Sequence, residues 1–540
     1  MVTASPSGAD APAQLVNRLI RATHYAPETA AGLIAVINTA PKTYLPLALA
    51  SARYGAGPVD TALAVAITHT DLTYEDAVTL EEMIPLNTGI LPHAALAVAE
   101  QRRRQAANDT ELAIAQRKLG ARLGGVGQCR EALVATEEAV ALFRGLVVAD
   151  PVAHTPQLAK ALQGLGIRSG EVGQCREALV ATEEAVALFR ELVAVDPAHT
   201  PNLAAAFQSL GAQLSEVGQL REALVATEEA VALFRELVAA DPAHTPNLAA
   251  AFQSLGIRLG EVGQRREALA AGEEAVALFR GLVAVDPVAH TPQLATSLSS
   301  LGTQLGEVGQ RREALAAGEE AVALFRGLVA VAPVAHTSDL AWALRNLGSR
   351  LGEVGQRREA LAVAEEAVAL LRKLVVADPV AHTPQLAKAL QGLGIWVGEV
   401  GQRREALVVT EEAVALFRGL VAVAPVAHTS DLAGALQNFA IWLGEVGQRR
   451  EALAVAEEGV ALFRGLVAVA PVAHTPDLAR ALRNLAIRLS EVGQRREALA
   501  AGEEAVDLYV RLHSNLPKAY IDDLSAARSL RDGLRVAPQT

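Results

Sequence analysis

The tetrad Val-Gly-Gln-Xaa, with Cys, Leu or Arg in last place, returns nine times along the chain. It sets a glycine at Gly127, Gly173, Gly218, Gly263, Gly309, Gly355, Gly401, Gly447 and Gly493. The steps between these glycines are 46, 45, 45, 46, 46, 46, 46 and 46 residues. Self-similarity at a fixed period means an array whose units pack on their neighbours, so the 540-residue length does not by itself count domains.

Each unit resolves into two helices. In the second unit the first helix is expected to open with Thr155 as N-cap and Pro156 at the first helical position. It carries Leu158, Leu162 and Leu165 and ends at Gly173. The second runs from about Gln174 to Val195, with Ala178, Ala185, Leu188, Phe189 and Leu192 at helical spacing, and stops at Asp196-Pro197. At 1.5 Å per residue the two are roughly 26 and 33 Å long. One missing residue explains both short steps: the segment Asp150–Thr155 shortens to Asp196–Thr200 and Asp241–Thr245. A deletion there points to a loop.

Composition agrees with closely packed helices. Hydrophobic residues, chiefly Ala, Leu and Val, make up 51% of the chain and aromatics 4%, whereas β-structure favours branched and aromatic side chains. A net charge of −12 argues against a globally basic nucleic-acid binder. Cys129 and Cys175 occupy equivalent places in adjacent units, roughly 10 Å or more apart by helix packing distances. A disulfide needs Cα atoms within about 7 Å, so free thiols in a reducing cytoplasm are expected. The first residues lack a basic n-region and no apolar run approaches the ~18 residues of a membrane span. A soluble cytoplasmic protein without a membrane partner is the expectation.

Leu165-Gly166, Gly173, Ala178 and Ala185 together resemble the tetratricopeptide repeat, with its Leu-Gly pair, turn glycine and two alanines on the second helix. The first alanine recurs in all nine units, from Ala132 to Ala498, and the second in eight, with Gly459 replacing it once. The units depart from the family pattern in length, 11–12 residues beyond the usual 34. The late proline is absent, Cys175 or Arg265 stands where Tyr is usual, and Thr182 where Phe is usual. In this the chain is similar to the long-helix variants of kinesin light chains and of actinobacterial repeat proteins. The resemblance implies an all-α fold, an α-solenoid forming a right-handed superhelix of nine helix-turn-helix repeats over residues 109–516. It also implies a non-enzymatic bacterial scaffold that holds an extended peptide in the concave groove lined by the first helices.

Outside the array, residues 1–13 read as a disordered tail and residues 14–108 as an N-terminal α-helical domain. Its expected helices are Gln14–Thr23, Pro27–Ile37, Leu45–Tyr54, Val59–Ile67, Tyr74–Met83 and Leu91–Arg104, separated at Pro41, Gly55–Pro58, Pro85 and Pro92. His24, His69 and His93 stand singly there and read as structural. Residues 517–540 continue the register one step, with Asp523-Leu524 placed 46 residues beyond Asp477-Leu478, and read as a capping helix over the ninth unit.

No catalytic constellation or cofactor motif is present. The Leu-Gly-Glu-Val-Gly-Gln run lacks the Lys-Ser/Thr of a phosphate loop and follows no strand. Eight histidines, from His154 to His474, form a column, but a spacing of roughly 10 Å between units forbids two of them from sharing a metal ion. Adjacent glutamates such as Glu183-Glu184, Glu273-Glu274 and Glu457-Glu458 splay apart on a helix and read as a solvated face.

The copies disagree mainly on the first helix. Thirteen residues before the marker glycine stand Ile114, Lys160, Ala205, Ala250, Thr296, Trp342, Lys388, Gly434 and Arg480. Ten before it stand Arg117, Gln163, Gln208, Gln253, Ser299, Arg345, Gln391, Gln437 and Arg483. Counting the columns 13, 10, 9, 6 and 5 before the glycine gives forty-five residues, of which twelve are Lys or Arg and none Asp or Glu. That asymmetry implies an acidic ligand or a C-terminal carboxylate. Five of the twelve stand five before the glycine. Among these, Arg168, Arg258 and Arg488 precede Glu171, Glu261 and Glu491 by three, the spacing of a local ion pair. Trp342, Trp396 and Trp442 lie on the first helices of consecutive units and read either as an aromatic anchor or as packing between repeats.

The expected peptide-binding set is therefore Lys160, Gln163, Trp342, Arg345, Lys388, Gln391, Trp396, Gln437, Trp442, Arg480, Arg483 and Asn484. The alternative is a self-assembling or sensor module working with a separate effector chain. Nucleic acid is a third and weaker reading.

Overall fold

The computed structural model describes residues 11–52, 57–84, 91–377, 379–515 and 517–536, and no strand occurs among them. The N-terminal helices are α1 (Ala11–Tyr25), α2 (Ala30–Thr39, after a 3₁₀ turn at Pro27–Thr29), α3 (Pro41–Ser51), α4 (Pro58–Thr68), α5 (Tyr74–Glu82) and α6 (Pro92–Arg104). Pro41, Pro58 and Pro92 each sit in the first turn, where the missing N–H costs nothing. Thr73 and Asp76 form a reciprocal capping box at α5. Residues 1–10 of the expected tail lie outside the described residues, and Ala11–Ala13 form the first turn of α1.

Val16, Leu33, Ile37, Leu45, Leu63 and Ile67 are fully buried among these helices. Asp60 of α4, 2% exposed, accepts from the backbone N–H groups of His93 and Ala94 and from His93 Nδ1, at 2.8–3.1 Å. It thus caps α6 from another helix and satisfies donors that α6 cannot. At the other end of α4, Gln101 Nε2 donates to the carbonyls of Ile67, Thr68 and Thr70.

The array follows as nine helix pairs among the described residues, beginning with α7 (Asp109–Gly125) and α8 (Cys129–Ala149), then α9 (Pro151–Glu171) and α10 (Cys175–Val195). We call the first helix of each pair A and the second B. Helix A starts earlier than Thr155-Pro156 suggests. Asp150 is the cap, its side chain accepting from Ala153 N, and Pro151 is the first helical residue. Thr155 lies inside the helix, its hydroxyl donating to Pro151 O at 2.6 Å. Both helices of the pair therefore have 21 residues and run for about 32 Å.

The shortened segments are not loops either. Pro197–His199 and Pro242–His244 form 3₁₀ turns, capped by Asp196 and Asp241, and the α-helix begins at Thr200 or Thr245. A 3₁₀ turn uses 3.0 residues where an α turn uses 3.6, so tightening the first turn absorbs the deletion.

Between helices A and B the marker glycines take φ from +77° to +92°. The next residue, as at Gln174, donates its N–H to the carbonyl five places back, here Ser169 O at 2.8 Å. This is the left-handed helix stop that favours glycine. The Leu-Gly pair does a different job: a Cβ on Gly166 would lie 2.0 Å from Thr182 Oγ1 and 3.0 Å from Ala178 O. Helix A thus rests on the backbone of helix B, with Ala178, Ala185 and Phe189 fully buried beside it.

Two compact units divide the chain, residues 1–202 with 327–337 and residues 203–326 with 338–540. In the first, α7, α8, α9 and α10 pack each on the next. In the second, helices from Arg357 onward do likewise, ending in a helix over Pro517–Val536. Leu524, Ala527 and Leu534 of that helix are buried, and Arg495 donates to Leu534 O at 2.7 and 3.1 Å.

Within the second unit the turn at Gly218 abuts helix A of the ninth repeat: a Cβ there would lie 2.6 Å from Val472 Cγ1 and 3.0 Å from Ala473 N. Gly309 has the same left-handed φ and nothing within 4 Å. Gly309→Ala is expected to cost about 1–2 kcal/mol, the left-handed penalty alone. Gly218→Ala is expected to cost more, and the two thermal midpoints compared side by side check this.

Candidate functional site

The variable positions of helix A divide into residues used up in packing and residues left at the surface. Five before the marker glycine, Arg168, Arg258, Arg350 and Arg488 pair with the Glu three residues on, at 2.7–2.9 Å. Arg122 differs: Gly125 stands in the Glu position, and Arg122 donates to Ile84 O at 2.8 Å. Arg168, Arg350 and Arg488 also lie over Gly124, Gly306 and Gly444 of the preceding helix A.

Trp396 and Trp442 fill that same slot. A Cβ on Gly352 would meet the Trp396 ring at 2.0 Å, and one on Gly398 the Trp442 ring at 1.9 Å. Packing between repeats is therefore what these two side chains do. Trp342 belongs to another column, eight residues earlier in its repeat, and is half-buried. The three tryptophans thus do not share one position on the helix. Beside Trp396 a cavity of about 60 Å³ opens among Arg345, Ser349, Gly392 and Ile395, space for about two waters.

Gln437 is likewise an interior side chain, 6% exposed, accepting from Asn484 Nδ2 at 3.4 Å. A Cβ on Gly459 would lie 2.6 Å from Gln437 Nε2. Gly459 therefore replaces the usual helix-B alanine to make room for this carboxamide.

Three cations on the A helices of the second unit have partners. Lys388 reaches Asp431 at 3.2 Å, Arg480 reaches Asp477 at 2.5 Å, and Arg483 stands 3.6 Å from Asp523. Burial pushes the Arg345 guanidinium below its ordinary range, with the charge of Asp431 opposing. Asp431 and Asp477 stand sixteen residues before their marker glycine, outside the five columns in which no acid occurs, and Asp523 continues that register. Helix A here carries neighbouring charges of both signs. Gln163 and Gln391 are half-buried.

The first unit is different. Lys160 is half-buried, and its ammonium is pushed below the ordinary lysine range by burial and by Arg117. Near it, Arg102 of α6 pairs with Glu81 of α5, and its Nη2 donates to Tyr74 Oη at 3.1 Å. An open cleft of about 520 Å³ between α6, α7 and α8 is lined by Arg103 and Arg130, which Glu100, Glu131 and Glu138 offset.

The glutamate pairs of helix B hold a role that the sequence reading missed. Arg144–Glu184, Arg280–Glu320, Arg326–Glu366, Arg372–Glu412, Arg418–Glu458 and Arg464–Glu504 form ion pairs at 2.6–2.8 Å. Each joins a helix B to the next one, and the constant 40-residue spacing is its signal. Cys129 and Cys175 are free thiols. Among the described residues no group of three or more His, Cys, Asp or Glu side chains is placed to hold a metal ion. No described helix is long and apolar enough to cross a membrane.

A tetratricopeptide repeat family model matches residues 340–380 and 478–515. No curated relative matches the sequence. Among solved structures, BtubC (BKLC) from P. vanneervenii is 19% identical over 46% of this chain and 92% of its own, with a TM-score of 0.38. A putative kinesin light chain from Podosopora anserina with nearly identical TPR-like repeats is 21% identical over 40% and 95%, with a TM-score of 0.33. A Rap protein complexed with competence and sporulation factor is 12% identical over 75% and 99%, with a TM-score of 0.45. The left-handed glycine turn and the paired alanines recur in both matched stretches, while Leu347-Gly348 of the first is Leu485-Ala486 in the second. The two matched stretches are tetratricopeptide repeats, and the array around them repeats the same helix pairing.

Proposed function

We propose that the protein is a non-enzymatic scaffold that holds an extended peptide or protein segment against its A helices. One observation carries this reading. Helix B and the turn are occupied by packing common to the repeats, while thirteen and ten residues before the glycine the side chains differ between copies. There Lys160, Gln163, Trp342, Arg345, Lys388, Gln391, Arg480 and Arg483 are exposed or half-buried. Side chains that vary while the frame around them stays constant are the ones suited to select a partner.

The mixed charges of the second unit narrow the partner's character. A segment lying there meets Asp431, Asp477 and Asp523 as well as the cations, so an alternating acidic and basic segment suits it better than a purely acidic one. Affinity capture from native lysate tests the scaffold role. A variant carrying Arg345→Glu, Lys388→Glu, Arg480→Glu and Arg483→Glu is expected to lose at least about tenfold of a captured partner, since like charges across an interface cost several kcal/mol. Equal capture by wild type and variant, with both chains equally helical by circular dichroism, would overturn the proposal.

A further inference from the structure

Within the second unit, the turn of the third repeat meets the start of helix A of the ninth, Pro471–Glu491. A Cβ on Gly218 would lie 2.7 Å from Val472 Cβ and 3.0 Å from Ala473 N, so the absence of a side chain lets the two backbones approach. The marker glycines Gly309, Gly355, Gly401, Gly447 and Gly493 share the left-handed φ but have nothing within 4 Å. Val472 is 59% exposed, against 88% and 74% for its counterparts Val152 and Val288. The contact is therefore real but shallow, and it can part without unfolding either repeat. Glu216 flanks it: burial pushes the His474 imidazole below its ordinary range, while the charges of Asp477 and Glu216 oppose that push.

Both sides have given up a charge that most of their counterparts carry. Asp150 and Asp286 cap their A helices by accepting from the backbone N–H three residues on, Ala153 N and Ala289 N. In the ninth repeat Ala470 stands in that place, as Ala332 and Ala424 do in theirs, and the helix has no side-chain cap. The N–H that a cap at 470 would hold is Ala473 N, the atom that the Gly218 turn approaches. An aspartate set at 470 as Asp150 is would thus reach into the space of the turn and add a carboxylate beside Glu216. On the other side, Leu220 follows Gln219 where two turns carry Cys and six carry Arg, and it packs half-buried against Leu224 and its neighbours.

We propose that this contact is a releasable clasp. The turn Glu216–Gln219 closes over Ala470–His474 and fixes the curvature of repeats three to nine, and a helix cap at position 470 competes with it. The occupant of each surface is the other, since the two already meet within one chain. The clasp also regulates the scaffold surface, a consequence that rests on the reading above. With it shut, the A helices carrying Arg345, Lys388 and Arg480 are held in place before a partner arrives, and the partner is spared that ordering.

The test is disulfide trapping in the full chain, with Cys129→Ala and Cys175→Ala removing the native thiols. Gly218→Cys with Val472→Cys is expected to bridge within single chains under mild oxidation, since a disulfide needs Cβ atoms about 3.5–4.5 Å apart, a small widening of the contact. Adding Ala470→Asp is expected to slow bridging about fivefold, the worth of a helix cap. Gly218→Cys with Val288→Cys, at the corresponding corner of the fifth repeat, should bridge at least about tenfold more slowly. If the left-handed position rejects a side chain and Gly218→Cys fails to fold, Gln219→Cys takes its place. Failure to bridge, bridges only between chains, or equal rates with Ala470→Asp or with Val288→Cys overturns the clasp. This assay needs no partner, so it stands even if the scaffold reading falls. Where a partner is captured, Ala470→Asp should weaken capture about threefold and the bridged chain should restore it. Capture that is the same in the bridged chain, the reduced chain and Ala470→Asp overturns the clasp's hold over the scaffold surface.

Discussion

Replacing Phe279 by alanine is expected to destabilise the second unit by about 3–5 kcal/mol, the cost of emptying a fully buried aromatic site. Phe279 is 2% exposed and packs with Val276 of its own helix and with Leu294, Leu298 and Leu301 of the next helix A. It therefore belongs to the junction between repeats, and in an array the junction terms hold neighbouring units in one cooperative transition. Urea unfolding followed by circular dichroism should lose its single sigmoid and show two steps. Phe279→Leu is the milder control, expected to cost about 1 kcal/mol, because volume is nearly kept. The chain already carries this change at Leu371, which is 2% exposed in the equivalent place. If Phe279→Ala unfolds in one step at an unaltered midpoint, the junction does not depend on this ring.

The second large effect separates packing from binding. Trp396→Ala empties the slot over Gly352 and is expected to cost about 3 kcal/mol, the low end for a large aromatic because the ring is only half-buried. Gly352→Ala should act in the same direction, by pushing the ring out instead of removing it. Capture of a partner, measured below the lowered melting temperature, should be unchanged in both. An unaltered midpoint combined with lost capture would make Trp396 a ligand anchor and overturn its assignment to packing.

Much of the architecture was legible because it depends on local chemistry. The marker glycine announces a left-handed turn that few other residues adopt, and Pro58 and Pro92 lie within one residue of the expected starts at Val59 and Leu91, whereas α3 begins at Pro41, four residues before the expected Leu45. The start of helix A was misread because two cap signals stand in tandem. Asp150-Pro151 and Thr155-Pro156 each combine a cap with a helix-starting proline, and the choice depends on whether one residue between them is present.

The functional surface was legible only in part, because it depends on which repeat faces which. Arg345, Lys388 and Arg483 looked uncompensated until the register brought Asp431 and Asp523 beside them. Glu81 and Arg102 lie outside the array, so no repeat pattern pointed to them. The tryptophan slot did leave a trace: Gly352 precedes Trp396 and Gly398 precedes Trp442 by 44 residues, the spacing that also separates Gly124 from Arg168.

The ladder of arginine–glutamate pairs has a consequence for how the chain can change over generations. Arg280 meets Glu320, and a glutamate equivalent to Glu320 recurs one step later at Glu366, where Arg326 now meets it. Excising any 46 consecutive residues from that stretch would bring Arg280 to Glu366 with the same spacing and the same neighbours. Unequal recombination between near-identical coding segments could therefore add or remove whole repeats without creating a mismatched junction. What such an event would alter is the order of side chains along the A helices, so reach and partner choice can drift while the frame stays intact.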